Sequence, residues 1–447
     1  MVKRVLVVLR ILWTAGAQRI AINEYRWLKR LGYDPKLVFL RGTETKGYEE
    51  MLGGVDYEVI RWGNGPLTPL FYAGMKVFAP DRGMESTVDL DLIAKIPQIA
   101  KREGADYLVC HDQFAGIGGL RAKKELGIPY SVFIHEKVVE HRTPLLGGLV
   151  DGWERGVVTG AEKVFAVTEK VAETLREKHG IAAEVNYPGM DRISSPPRSA
   201  RQNYLIAVSF WDYGRRPEDY LRVIEAVGGY KLLIVGNWRV KGAEEAFSRK
   251  IKEMKLEERV DVMKGVPENR LSQLYDQSAF LLRFGYGEYG LATAVIEAIQ
   301  HTLPVIINDE LGTSDLIRES GGGLVVKGVD PKAISEFLER MDDGEYAKLQ
   351  GGLGQLQKKY SWENHAKKLV EPLERPGSPP NSSSPARGKR GCSGDMRTGS
   401  RAPFQRVQDA RNLERLRNCF SMPAEEIVMK LNRRFHTFGH SLSVLLA

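Results

Sequence analysis

Two glutamates, Glu288 and Glu297, bracket the short apolar stretch "GEYGLATAVIEA" at residues 287–298. The run "ATAVIEAIQ" has helical spacing, so Glu297 lies early in a helix that follows the loop "FGYGEYG". A carboxylate at this point can accept two hydrogen bonds from a ribose diol, as acidic residues do in dinucleotide-binding folds. The alternative is that the two glutamates are ordinary charges at a loop and a helix start.

Two adjacent arginines, Arg215 and Arg216, lie in "SFWDYGRRPEDYL" between a predicted strand and a predicted helix. Guanidinium groups form paired hydrogen bonds with phosphate oxygens and can neutralise a diphosphate as it leaves. A solvated pair of arginines at a helix start is the alternative interpretation. We predict that the pair faces a diphosphate.

Gly16 in "WTAGAQR" lies where the first predicted strand turns into a helix, and a phosphate can bind the free amides of a helix start. One glycine without a full G-x-G-x-x-G pattern is equally consistent with a simple loop.

His111 and His135 end two predicted strands, where ligands of parallel sheets bind, although structural histidines also occur there. Asp89 and Asp91 form a D-x-D pattern that we interpret as helix-start aspartates rather than metal ligands.

The elements that must position these residues alternate between strand and helix along two stretches of the chain. Apolar runs such as "KRVLVVLRIL" and "YKLLIVGN" have the length of buried strands, and amphipathic helices separate them. We therefore predict an α/β protein with two doubly wound, Rossmann-like parallel sheets that face a cleft. The predicted division is a first domain at residues 1–193, a linker at 194–202, a second domain at 203–375 and a Pro/Ser/Arg-rich, disordered tail at 376–447.

Length and composition fit this division. The chain has 447 residues, 43% of them apolar, which is the composition of a soluble protein with about two domains. The net charge is +8, but residues 376–447 hold 12 Lys and Arg against 5 Asp and Glu, so the rest of the chain is nearly neutral and no nucleic-acid partner is expected. Three cysteines at unrelated spacings form neither a disulfide framework nor a zinc site. With no apolar run of membrane-spanning length, we expect a cytoplasmic location.

Taken together, these stretches resemble the family 4 (group 1) retaining glycosyltransferases of the GT-B fold, from about residue 3 to residue 374. The similarity is strongest from "VKGVPENRLSQLYDQSAFLLRF" through "GYGEYGLATAVIEAIQHTLPVIIND". "NYPGMD" at residues 186–191 is similar to the end of the family's first domain. "FIHE" resembles its strand-end histidine, and "TAGAQR" resembles its N-terminal glycine loop.

The resemblance implies a retaining transferase that moves a sugar from a UDP- or GDP-linked donor to a glycan, lipid-linked or small-molecule acceptor, without a cofactor or an essential metal. It implies catalytic roles for four residues: His135, Glu288, Arg215 and Arg216. It implies nucleotide-sugar binding by five residues: Gly16, Glu297, Gly236, Gly290 and Leu291. For the apolar segment at residues 67–80 we favour an interior helix, and the alternative is contact with a lipid-linked acceptor or a membrane surface. The basic tail could likewise favour anionic lipid at the inner face of the cell membrane.

This sequence departs from the family pattern at two points. The family's glutamates are separated by seven residues, whereas eight separate Glu288 from Glu297, so Glu297 matches the ribose-binding glutamate and Glu288 is a candidate for its partner. The family's first phosphate-binding arginine would fall near Ser209 and Phe210, where this chain has none. A binding protein that has lost catalysis is therefore an alternative function, and a nucleotide-sugar epimerase is a third.

Overall fold

The structure is a computed structural model that describes residues 3–12, 16–42, 51–60, 68, 89–136 and 146–374. The predicted tail at 376–447 lies outside these residues, and so does the apolar segment at 67–80 except for Thr68. No helix in the described ranges is long and apolar enough to cross a membrane.

The first sheet contains seven parallel strands in the order β3-β2-β1-β4-β5-β6-β7. The middle strands are apolar and buried along their length because helices cover both faces of the sheet. The strands are β1 Arg4–Leu12, β2 Asp34–Gly42, β3 Tyr57–Val59, β4 Tyr107–His111, β5 Tyr130–Ile134, β6 Lys163–Ala166 and β7 Glu184–Val185.

The second sheet repeats the topology with six parallel strands in the order β10-β9-β8-β11-β12-β13. In each sheet the strand order reverses beside the first strand, between β1 and β4 and between β8 and β11. Ligands of doubly wound sheets bind at such a reversal, beyond the carboxyl ends of the strands. The strands are β8 Tyr204–Val208, β9 Lys231–Val235, β10 Val260–Met263, β11 Phe280–Arg283, β12 Val305–Asn308 and β13 Gly323–Val326.

Helices connect the strands and bury their apolar faces against the sheets. In the first half these are α1 Gly16–Arg30, α2 Leu90–Ile93, α3 Ile96–Arg102, α4 Gln113–Leu126, α5 Leu146–Gly160 and α6 Glu169–His179. In the second half they are α7 Pro217–Ala226, α8 Ala243–Glu253, α9 Glu268–Gln277, α10 Thr293–Gln300, α11 Ser314–Ser320, α12 Pro331–Glu339, α13 Asp343–Lys359 and α14 Trp362–Glu374. Asp89 accepts a hydrogen bond from Leu92 N at 2.9 Å, which is the helix-start role predicted for this aspartate.

The last helix, α14, returns to the first domain. Its apolar face, which includes Leu369 and Leu373, belongs to the core built on β1, β4 and β5. Lys3 Nζ donates to the carbonyl oxygen of Leu373 at 2.6 Å, and Lys163 donates to Glu371 at 2.6 Å. The sequence-based division placed this helix in the second domain, because a boundary read along the chain does not detect a segment that crosses back.

A buried arginine helps to hold the linker against the second domain. The guanidinium of Arg201 donates to carbonyl oxygens of Tyr275, Ser278 and His301 at 2.9–3.0 Å. Thr302 Oγ1 also donates to Ser194 O at 2.9 Å. These bonds fix the point at which the chain leaves the first domain.

Candidate functional site

Glu288 is held between two arginines at the strand-order reversal of the second sheet. Arg283 is the last residue of β11 and is buried, and its Nη2 donates to Glu288 Oε2 at 2.8 Å. Arg215, in the loop after β8, forms an ion pair with Glu288 Oε1. Arg283 is absent from the residues predicted from the sequence, and it places a buried guanidinium beside Glu288.

Arg216 points away from this cluster, so the predicted arginine pair is divided. Its Nε pairs with Asp219 at 3.1 Å, and its guanidinium lies 4.7 Å from the ring centre of Tyr286. The side chain is 55% exposed, whereas that of Arg215 is 26% exposed. The backbone of Arg216 has a φ of 44°, which turns the chain sharply before α7 begins at Pro217.

Glu297, in the second turn of α10, has a partner on each carboxylate oxygen. Tyr275 donates its hydroxyl to Oε2 at 2.6 Å, and Arg19, which comes from α1 of the first domain, pairs with Oε1. Arg19 also pairs with Glu268 at the start of α9. Burial and the charge of Glu297 raise the pKa of Tyr275 well above its usual value, so this hydroxyl keeps its proton and donates.

The starts of α1 and α10 meet across the cleft. A Cβ atom at Gly16 would lie 2.6 Å from Thr293 Cγ2, so only glycine permits this approach. Neither the sequence of α1 nor that of α10 places an acidic residue in its first turn. Two helix starts whose own first turns carry no acidic residue favour an anion between the domains.

The loop that carries Gly290 and Leu291 packs directly against the first domain. A Cβ atom at Gly290 would lie 2.5 Å from the carbonyl oxygen of His135. Thr168 Oγ1 donates to Tyr289 O at 2.6 Å, and Leu291 packs against the cores of both domains. Gly290 and Leu291 therefore set the distance between the loop and the strand end of His135.

Gly236 stands at the end of β9 for a steric reason. Its φ is 129°, and a Cβ atom there would overlap the carbonyl oxygen of Ser209 in the neighbouring strand end. Its own N–H donates to Met263 O at 2.9 Å. Gly236 therefore permits close contact between the ends of β9 and β8.

His135 belongs to a buried chain of hydrogen bonds that our sequence analysis identified only in part. His135 Nε2 lies 2.8 Å from His111 Nδ1, and His111 Nε2 lies 2.8 Å from Glu24 Oε2. The other carboxylate oxygen of Glu24 lies 2.8 Å from Nε2 of His365, which α14 brings back from the end of the second domain. His365 Nδ1 lies 2.9 Å from the carbonyl oxygen of Tyr187.

The charges in this chain are set by its burial. Burial alone would raise the pKa of Glu24, but its interactions with His111 and then with His365 outweigh burial and lower the pKa far below its usual range. Glu24 is therefore ionised. Burial lowers the pKa of His135 well below its usual value, so His135 is neutral.

Within the described ranges no group of three His, Cys, Asp or Glu side chains could hold a metal ion. The site instead offers paired guanidiniums, two helix starts, two carboxylates and a neutral imidazole. These groups suit an anionic ligand with hydroxyl groups attached.

Comparison with known proteins assigns this chain to a family. Residues 15–187 match a glycosyl transferase 4-like domain, and residues 197–352 match the glycosyl transferases group 1 model. The two matches together cover most of the chain. The chain belongs to the group 1 glycosyltransferases.

Solved structures agree on the GT-B architecture. Anabaena HepE in complex with UDP and glucose is 15% identical with a TM-score of 0.64, over 83% of this chain and 99% of that one. Sucrose-phosphate synthase from Thermosynechococcus elongatus is 16% identical with a TM-score of 0.65, over 83% of this chain and 98% of that one. These similarities confirm the predicted fold class.

A curated relative matches part of the chain. The D-inositol 3-phosphate glycosyltransferase of Corynebacterium urealyticum is 26% identical over 218 residues. The match covers 47% of this chain and 48% of that relative, so the chain spans about half the length of the relative.

Proposed function

We propose that the protein transfers a sugar from a nucleotide-diphosphate donor to an acceptor hydroxyl in the cleft, with retention of anomeric configuration. The observation that carries this proposal is the cluster of Arg215, Arg283 and Glu288 at the strand-order reversal of the second sheet. Because a diphosphate and a carboxylate are both anions with paired oxygens, two guanidiniums that hold one can also hold the other.

The donor would lie along the carboxyl ends of the second sheet. Arg215 and Arg283 would bind the diphosphate, and the starts of α1 and α10 would add favourable dipoles from both domains. Glu297 would accept hydrogen bonds from the ribose diol through the lone pairs that Arg19 and Tyr275 leave available. Displaced from its arginines, Glu288 would turn to the hydroxyls of the transferred sugar.

The proposed reaction breaks the bond between the anomeric carbon and the β-phosphate oxygen. The acceptor oxygen forms its new bond on the same face, and its proton passes to the departing phosphate oxygen. The transition state has oxocarbenium character, so charge grows on the leaving diphosphate, where the arginines stabilise it. His135 would contact a hydroxyl of the transferred sugar from the first domain.

A UDP-sugar is the first donor to test, because Anabaena HepE was crystallised with UDP and glucose. An inositol phosphate is the first acceptor to test, because the curated relative is named for that substrate. Carbohydrates and lipid-linked sugars follow as acceptors, and contact with a membrane surface through residues outside the described ranges remains part of the proposal.

The test is a turnover assay on the full chain with UDP- and GDP-sugars, each with and without acceptors. Acceptor-dependent release of nucleoside diphosphate, with a product that keeps the donor's anomeric configuration, supports the transferase. Binding of nucleotide sugars without turnover supports a binding protein that has lost catalysis. An isomerised nucleotide sugar formed without acceptor supports the epimerase.

A further inference from the structure

The buried chain from His365 to His135 contains four ionisable groups whose hydrogen bonds fix one another. Glu24 is fully buried, and His111 and His365 are each 2% exposed. Buried ionisable groups are costly unless their charges are balanced and their hydrogen bonds are satisfied. The positions of the protons in this chain can therefore be worked out from one end to the other.

His365 carries a proton on both ring nitrogens. Its Nδ1 faces the carbonyl oxygen of Tyr187, which only accepts hydrogen bonds. Its Nε2 faces Glu24 Oε1, and an ionised carboxylate also only accepts. His365 is therefore the positive partner that balances the charge of Glu24.

The carboxylate of Glu24 carries one negative charge and contacts both His111 and His365, so a second imidazolium would leave a buried positive charge uncompensated, and His111 is the neutral partner. Its single proton lies on Nε2, which donates to Glu24 Oε2. Its Nδ1 must then accept, and the donor is Nε2 of His135 at 2.8 Å. The rings of His111 and His135 are nearly coplanar, with an angle of 18° between their planes and centroids 5.0 Å apart, as a hydrogen bond in the plane of both rings requires.

We propose that His365 is a positioning residue for the sugar site: by balancing Glu24 it keeps His111 neutral and fixes His135 as the Nε2–H tautomer, with an unprotonated Nδ1 that accepts a hydrogen bond from a sugar hydroxyl. The role of His135 at the sugar rests on the proposed function. The tautomer itself is a property of the free protein and is measured without a donor.

The charge argument predicts an unusual mutational pattern. In His365→Phe the ring still packs beside Phe133 and Trp362, but Glu24 loses its counter-charge, so His111 takes up a proton and donates from Nδ1. His135 must then accept on Nε2 and carries its proton on Nδ1. Adding Glu24→Gln removes the need for a counter-charge, since the amide oxygen accepts from His111, and the original tautomer of His135 returns.

The experiment is nitrogen NMR of the full chain with ¹⁵N-labelled histidine, the His135 signals being assigned by their loss in His135→Asn. In the native protein and in Glu24→Gln we expect His135 to be protonated on Nε2 and unprotonated on Nδ1. In His365→Phe we expect the opposite tautomer, with the proton on Nδ1. In the double variant we expect the proton of His135 to be on Nε2 again. If His365→Phe does not fold, His365→Asn replaces it in the experiment. The asparagine keeps a donor for Tyr187 O but is too short to reach Glu24, so it should also move the proton of His135 to Nδ1. A native His135 protonated on Nδ1, or a double variant no different from His365→Phe, overturns the proposal.

Kinetics on the same variants separate positioning from general damage. His365→Phe should lower kcat at least about tenfold with KM for the donor within about twofold, since a wrong histidine tautomer impairs chemistry rather than binding. The double variant should recover to within about threefold of the native kcat. If no variant turns over any donor while the NMR pattern holds, the proposed function fails and the tautomer assignment stands.

Discussion

Arg19 of the first domain forms an ion pair with Glu297 of the second, at the position that the ribose of the donor is proposed to occupy. Arg19 also pairs with Glu268, so one guanidinium joins α1 to two helices of the other domain. The side chain of Glu297 is 17% exposed and that of Glu268 is 59% exposed. The two glutamates thus share a partner but differ in their access to the cleft.

This shared partner provides a matched pair of variants for the ribose assignment. Glu297→Gln should lower kcat/KM for the donor at least about tenfold, because hydrogen bonds to a charged group contribute about 1.5–3 kcal/mol each. Glu268→Gln also removes a partner of Arg19 but should change kcat/KM by less than about twofold. Steady-state kinetics with a UDP-sugar measures both. Equal losses would mean that the ion pairs between the domains matter and the ribose contact does not.

The neighbouring arginines allow a similar comparison at the diphosphate. Arg215→Met should weaken UDP binding about tenfold, because a charge-assisted contact to phosphate is lost. Arg216→Met should leave the Kd within about twofold, because Arg216 is turned toward Asp219 and Tyr286. Isothermal titration calorimetry with UDP provides both values. A larger effect at Arg216 would show that the loop rearranges when the donor binds.

Replacement of Glu288 by glutamine should strengthen UDP binding and lower turnover. In Glu288→Gln the arginines lose a competing anion, so UDP should bind at least about threefold more tightly, while kcat falls because the proposed sugar contact is weakened. Calorimetry and turnover on the same preparation test this. Weaker UDP binding in Glu288→Gln would mean that Glu288 orients the arginines and does not compete with the phosphate.

The fold was predictable because its signal is local. Buried parallel strands such as β8 and β9 appear as continuous apolar runs, and amphipathic helices separate them. Periodicity along the chain does not report where a helix goes after the last strand, so the return of α14 to the first domain was missed. That return depends on contacts between residues more than 200 positions apart, such as Lys163 with Glu371.

The site was predictable only where a residue stood at a strand end or in a family-like motif. Glu24 could have been found from the sequence, because helical spacing places it on the same face of α1 as Ile20, Ala21 and Leu28. That spacing predicts a carboxylate on the buried face of the helix. His365 likewise shares a face with Ala366 and Leu369. Polar residues on an apolar face must find partners, but their identity depends on how the helices pack, which the sequence alone does not reveal.

The close approach of Gly290 to His135 should be important for activity and not for the stability of either domain. Gly290→Ala would push the loop away from the His135 carbonyl, and we expect kcat to fall about tenfold while Tm changes by less than about 2 °C. Gly287→Ala is the contrasting variant: its φ is 71° and nothing lies within 4 Å of its Cβ position. Backbone strain there should cost about 1 kcal/mol of stability with little effect on kcat. The opposite pattern would place the important contact at Gly287.

Glu103 should make the stability of the first domain depend on pH. Burial alone would raise its pKa, but hydrogen bonds from Lys36, Arg4 and Arg102 outweigh it and lower the pKa to about 2. The folded-state pKa of Glu103 is about 2, and the ordinary pKa of a glutamate in the unfolded chain is about 4.3. Between these two pH values the unfolded state binds more protons than the folded state, so the contribution of Glu103 to the free energy of unfolding decreases as the pH falls.

The measurement is thermal unfolding of the native protein and Glu103→Gln from pH 6 to pH 2. The difference in Tm between them should be largest above about pH 5 and should shrink as the pH approaches about 2, where the carboxyl is protonated in the unfolded state and about half protonated in the folded state. Glu125→Gln is the control, because its exposed pair with Arg121 should give a small difference at every pH. A Glu103 difference that stays constant down to pH 2 would mean that packing of the side chain stabilises the fold and its charge does not.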